Sequence, residues 1–423
     1  MTRLLLMVAL IFSAVIIAAQ AQAPKTIAPE NYLFVWGGDA ALKGNDFLMV
    51  IDADPASASY GKLVTTLPTD QQTVRPHHTE YTMPASGMLF VNDHDPGRTF
   101  IFDLRDPVHP KTVTSFYDRG GFMHPHSYLR LPNGHVLATF QHKAPSMAEA
   151  TAHPDATHPG MLTMGFDGMP AESLSGGLVE MDDQGNVVRA ASNFDPSAAG
   201  TDLMPYGVVI LPEIDRALVT NTSMQDADFF GVTYQTWRLS DLKLLHTAYL
   251  DPGANHYSQI GPEEPRRGPD GSVYVQTLGC GIERITGIAG DNPTSKLVYV
   301  FPGHWCGVPT IVSHFLVQSV PSMHGLIVID LANPEKPVEV SRITLGGDYP
   351  SHWTGWGAKT QRLVATGQSG RVFLLKLDPA TGKLSFDEAF RGVDGKVGFS
   401  LDERVWPHGW KGTGYAHGAV FSR

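Results

Sequence analysis

The feature that most limits what this chain can fold into is a repeat. Short β-branched segments return at intervals of about 40 to 55 residues, apart from one longer interval that holds an insertion: 88–92, 135–140, 216–221, 272–277, 325–330 and 362–367. Turn residues precede most of them, as at Pro84–Gly87, Pro132–Gly134, Pro212–Asp215 and Pro269–Gly271. A second strand and a polar turn follow each, as in residues 99–104 and 372–378. No stretch of the mature chain has the period of a long amphipathic helix. A unit of three or four strands at this spacing predicts an all-β fold, a β-propeller. Six full units start near Arg75, His124, Leu203, Asn255, Cys306 and Tyr349. A seventh is split across the termini: residues 32–36, 47–52 and 63–67 lack a first strand, and residues 405–410 resemble it. Pairing of N- and C-terminal strands would close the ring and remove its open edges. The expectation is a single seven-bladed propeller domain over residues 22–423, with one insertion near 143–176.

Composition agrees with this reading and excludes others. The 43 Gly and 31 Pro among 423 residues are too many turn-formers for a helical bundle, and 42% hydrophobic content is too high for disorder. A net charge of −11 excludes a basic nucleic-acid surface, so no nucleic-acid partner is expected. Arg3, an apolar run from Leu4 to Ala19 and the small-residue pattern Ala19–Ala23 read as a secretory signal peptide over residues 1–21. The mature chain is therefore expected to be periplasmic or secreted, with no membrane span. Oligomeric state is left open.

Eighteen histidines against two cysteines is the chemical oddity. Aligning the units on their first strands gives Arg75-Pro-His-His, His124-Pro-His-Ser, Met204-Pro-Tyr-Gly, Asn255-His-Tyr-Ser, Tyr349-Pro-Ser-His and Trp406-Pro-His-Gly. First strands line the channel of a propeller, so His77 or His78, His126, His256, His352 and His408 are expected to converge at one mouth. Tyr206 stands in the unit without an imidazole, and His124 is a candidate to share the face of His126. Several neutral imidazoles aimed at one point suit a transition metal, and nitrogen-only ligation favours copper, zinc or iron over calcium or magnesium. The candidate metal residues are His77, His78, His124, His126, His256, His352 and His408. The candidate catalytic residues are His78, His126, Glu80 and Tyr206. Cys280 and Cys306 read as a disulfide in an exported protein, with Cys306 as a thiolate ligand the alternative. His109, His142, His153 and His158 fall outside the register and read as solvated loop residues.

At these residues the chain resembles the selenium-binding protein / methanethiol oxidase family. The resemblance rests on His77-His78, on His124-Pro-His126 followed by Leu131-Pro-Asn-Gly, and on Gly176–Glu180. It continues through Tyr206 and Pro212 ahead of Ala217–Thr220, and through Trp406–Gly412. It implies a seven-bladed propeller and, for some members, copper-dependent oxidation of methanethiol. Carried over residue by residue, it points to His77, His78, His126 and His408 as metal-site candidates. The family's N-terminal Cys-Gly-Pro-Gly-Tyr stretch and the cysteine pair after its His-His are absent, and Gly409 stands where an acidic residue is expected. The leading expectation is an exported, metal-dependent oxidoreductase, copper ahead of zinc or iron, acting on a small thiol or sulfur compound such as methanethiol. The alternatives are a non-catalytic binding scaffold and a metal-dependent lyase or hydrolase using the same ring.

Overall fold

The computed structural model describes residues 31–93, 95–144, 175–198, 203–223, 231–254, 256–368 and 370–423. The signal segment, His153, His158 and most of the 143–176 insertion lie outside the described residues. Seven antiparallel sheets, each built on four strands, are arranged around one axis as a seven-bladed β-propeller. Among the described residues there is no α-helix, only short 3-10 turns. None has a helix long and apolar enough to cross a membrane.

The reason the strands look apolar on both faces is that each blade is sandwiched between two others. In the Tyr32–Asp39 strand, Leu33 and Val35 pack toward the blade of Ser351–Gly357, against Trp353 and Val364. The alternate residues Phe34 and Trp36 pack toward the blade of Pro76–Thr79, against Leu89, Val91, Phe100 and Phe102. Side chains alternate across a strand, so period two sends successive residues into two different cores. Among the described residues, seven buried clusters fill the seven blade interfaces. The outermost strands are polar on one face; Val338–Thr344 alternates exposed and half-buried residues throughout.

Ring closure occurs by pairing of the terminal strands, but with a different segment from the one expected. Gly414–Phe421 pairs with Tyr32–Asp39, placing Leu33 opposite Phe421 and Val35 opposite Ala419. The Trp406-Pro-His stretch instead belongs to a small hairpin, Arg404–Val405 with Lys411–Gly412. Its Trp406 is buried against Phe47 at 4.9 Å, ring to ring. The two segments share aromatic and histidine content, and only the later one offers eight residues without a proline, Gly414–Phe421, to pair along Tyr32–Asp39.

Candidate metal centre

The innermost strands of blades 1 to 7 are Gly414–Phe421, Pro76–Thr79, Phe122–Arg130, Pro205–Leu211, Pro262–Arg267, Thr310–Val312 and Ser351–Gly357. Six of the seven carry the same irregularity. Ladder pairing jumps between Pro76 and Thr79, and between Pro125 and Tyr128. It jumps again between Pro205 and Val208, Pro262 and Pro265, and Ser351 and Trp353. In blade 1 the jump falls between Ala416 and Ala419. A bulge inserts extra residues, bends the strand and re-aims side chains. The residues within these bulges are His77 and His78, His126 and Ser127, Tyr206 and Gly207, Glu263 and Glu264, His352, and His417 and Gly418. Proline lacks an N–H for the ladder and is confined to strand starts and bulges, so the recurring Pro marks where regular pairing stops.

The bulges bring five imidazoles and a carboxylate together on the axis. His77 and His78 stack with ring centroids 3.8 Å apart. His417 lies 4.4 Å from His77 and 4.3 Å from His352. His126 lies 4.8 Å from His78, and its Nε2 is 3.1 Å from His77 Nε2. Glu264 Oε1 is 3.5 Å from His78 Nδ1 and 4.0 Å from His126 Nδ1. Potential ligand atoms of His77, His78 and His417 lie within 4.8 Å of one another, as do those of His78, His126 and Glu264. All are buried except His352, which is partly open.

Burial sets the charge state. Desolvation, with neighbouring imidazoles adding to it, holds the His78 pKa well below the ordinary histidine value. Desolvation, then Arg75, pushes His352 down to about 4. Both rings are therefore neutral at pH 7, the form that donates a lone pair to a metal. Neither nitrogen of His78, nor Nε2 of His352, has a hydrogen-bond partner although each is buried.

Of the expected residues, the structure thus gathers His77, His78, His126 and His352, and it places the others elsewhere. His408 accepts or donates a 2.7 Å hydrogen bond with Thr66 and stacks beside Trp410, outside the cluster. His256 is exposed at the start of the His256–Gln259 turn, because the innermost strand of blade 5 begins only at Pro262. His124 is buried against His142 with ring centroids 5.5 Å apart, and belongs to neither clustered group. His142, expected in a solvated loop, is buried on the Val136–Lys143 strand. The Glu80 carboxylate lies between blades, bonded to Arg130 at 2.9 Å and to the Phe90 amide at 3.1 Å. It faces no cluster histidine. The Tyr206 hydroxyl donates to Glu263 at 3.1 Å, and burial raises its pKa well above 10, so it acts by packing on His126 rather than by titrating. Cys280 and Cys306 are joined in a disulfide, which removes Cys306 as a thiolate ligand.

Two cluster members escaped the sequence reading. Glu264 makes the donor set mixed rather than nitrogen-only. It follows the alignment Pro262-Glu-Glu, which matches Pro76-His-His when the register is set on proline rather than histidine. His417 sits in Ala416-His-Gly, whose signal is its place in the last apolar strand.

No protein-family model matches the chain. A methanethiol oxidase of Hyphomicrobium sp is 39% identical over 108 residues, 24% of each chain. A methanethiol oxidase of Ruegeria pomeroyi is 29% identical over 121 residues, 27% of each chain. Each match thus spans about a quarter of the relative's length. Over 94% of both chains, the fold is similar to that of a hypothetical selenium-binding protein from Sulfolobus tokodaii, with a TM-score of 0.68 and 15% identity. A periplasmic gluconolactonase of Pseudomonas aeruginosa has a TM-score of 0.59 at 12% identity, with coverage of 93% of this chain and 99% of that one. At such identities the structural likeness carries the fold alone. The chain is thus similar to methanethiol oxidases over about a quarter of its length, and it shares its propeller fold with a selenium-binding protein over nearly all of it.

Proposed function

We propose that the protein is an exported, copper-dependent oxidoreductase that oxidises a small thiol, methanethiol or a close analogue, at the axial histidine cluster. The observation that carries this is the pair His77 Nε2 and His126 Nε2, 3.1 Å apart and buried. Two nitrogens bonded at about 2.0–2.1 Å to one tetrahedral ion stand about 3.3 Å from each other. The donor set therefore fits a transition metal. His77, His78, His126 and His417 would hold it, with His352 and Glu264 beside them. Imidazole suits copper, zinc and iron, and of these an oxidation needs a redox-active one. When bound, copper supplies one-electron redox chemistry and an affinity for soft sulfur donors. The chain's own residues do the rest. The bulges hold the five imidazoles on four blades, so that the cluster cannot relax by moving one strand. Burial keeps His78 and His352 neutral and excludes water from the reacting sulfur. Glu264 places a carboxyl group next to His78 and His126, and Arg266 lies 3.4 Å from its other oxygen.

The test is copper reconstitution of tag-free protein followed by oxygen uptake with methanethiol. One copper per chain and thiol-dependent uptake support the reading. A copper-loaded protein that consumes no oxygen with methanethiol or other small thiols contradicts the oxidase assignment, while leaving the metal site standing.

A further inference from the structure

Beyond the cluster itself, a hydrogen-bonded belt crosses three blades to reach one of its imidazoles. The Gln276 amide, buried on the Val273–Thr277 strand of blade 5, donates to the Cys306 carbonyl at 2.6 Å and to Glu263 Oε2 at 2.8 Å. Cys306 is fixed in turn by its bond to Cys280. Glu263 Oε1 accepts from the Tyr206 hydroxyl at 3.1 Å. The Tyr206 ring lies 3.7 Å from the His126 ring, centroid to centroid, and the Tyr206 carbonyl is 3.1 Å from His126 Nδ1. A carbonyl can only accept, and Ser127 Oγ, also 3.1 Å from Nδ1, gives its own proton to Glu264, so both contacts call for a proton on Nδ1. Nε2 is then left with its lone pair, facing His77. Outer residues that fix the tautomer and ring plane of a histidine are what tune a metal site.

We propose that Gln276, Glu263 and Tyr206 form a positioning belt that locks His126 as its Nδ1–H tautomer, with Nε2 presented to the metal. Gln276 touches neither the cluster nor any reacting atom, and acts only through Glu263 and Tyr206. The consequence for metal affinity rests on the function proposed above; the tautomer rests on the geometry alone.

Nitrogen-15 spectra of histidine-labelled full-length protein, before metal is added, read the tautomer of His126 directly. The wild type is expected to show Nδ1–H, and Gln276→Met a mixture of tautomers. Copper titration is then expected to give a dissociation constant about 10–100-fold weaker for Gln276→Met. Tyr206→Phe removes a single hydroxyl and gives the same outcome as Gln276→Met by a second route should that variant fold poorly. A wild type that binds no copper would sink the function proposed above, and the spectra would still decide the belt. An unchanged Nδ1–H tautomer in both Gln276→Met and Tyr206→Phe would overturn it.

Discussion

At the scale of single residues, the site is a problem of burying titratable groups. His352 ionises at about 4 in the folded protein against 6.5 in an unfolded chain. Its contribution to stability is complete above pH 6.5 and is lost as pH falls toward 4, since only the unfolded chain then takes up the proton. His352→Gln should flatten that acid-side decline, measured as the urea midpoint between pH 7 and pH 4. Glu263 has the opposite sign. Desolvation first, then Glu264, pushes it up to about 8, so the folded protein keeps a proton that the unfolded chain releases near 4.5. Stability from this group is present at low pH and lost as pH rises through that window. Glu263→Gln should therefore raise the denaturation midpoint at pH 9 and leave it unchanged at pH 4; a uniform shift at both would contradict the assignment. These shifts have no trace in the sequence, because they depend on which blades converge. What the sequence does carry is the Pro-x-x pattern, which located His77, His78, His126 and His352. Setting the register on histidine rather than proline led to His256 and passed over Glu264, whereas His408 follows a proline too and misleads because its segment forms a hairpin rather than an innermost strand.

At the scale of elements, the bulge explains why six innermost strands aim side chains at the axis. The period-two pattern that identified the strands is broken at the functional positions, so a reading based on alternation sees the scaffold more clearly than the site. Blade 1 shows how tightly the bulges are fitted together. A Cβ on Gly418 would lie 2.6 Å from the Thr79 amide nitrogen and 2.9 Å from the His77 carbonyl oxygen, with backbone that has no room to give. Gly418→Ala is expected to push the closing strand off the His77–Thr79 backbone, destabilising the fold by about 1–3 kcal/mol and lowering metal content with it. Thermal melting and elemental analysis of one preparation check both effects. A variant with full stability and full metal content would show that the two strands are not held in register by this contact.

At the scale of the whole molecule, seven interblade cores and one strand pairing at the closure make a ring whose stability is shared. The repeat, the blade number and the pairing of the two termini were legible because each blade repeats the same turn chemistry and alternation. The identity of the closing strand was not, because two segments near the C-terminus compete for the role and only three-dimensional pairing separates them. The Cys280–Cys306 disulfide ties blade 5 to the segment entering blade 6. Replacing both cysteines by serine should cost about 3 kcal/mol, read as a shift in the denaturation midpoint under non-reducing conditions. The most direct test of the account is the metal content of tag-free wild type, His78→Ala and His408→Ala after copper reconstitution, measured by mass spectrometry. The proposed copper site predicts about one copper per chain for wild type and His408→Ala, and less than about 0.2 for His78→Ala, as expected when a ligand set is broken. Full copper in His78→Ala, or its loss in His408→Ala alone, would contradict the placement of the metal centre on the propeller axis.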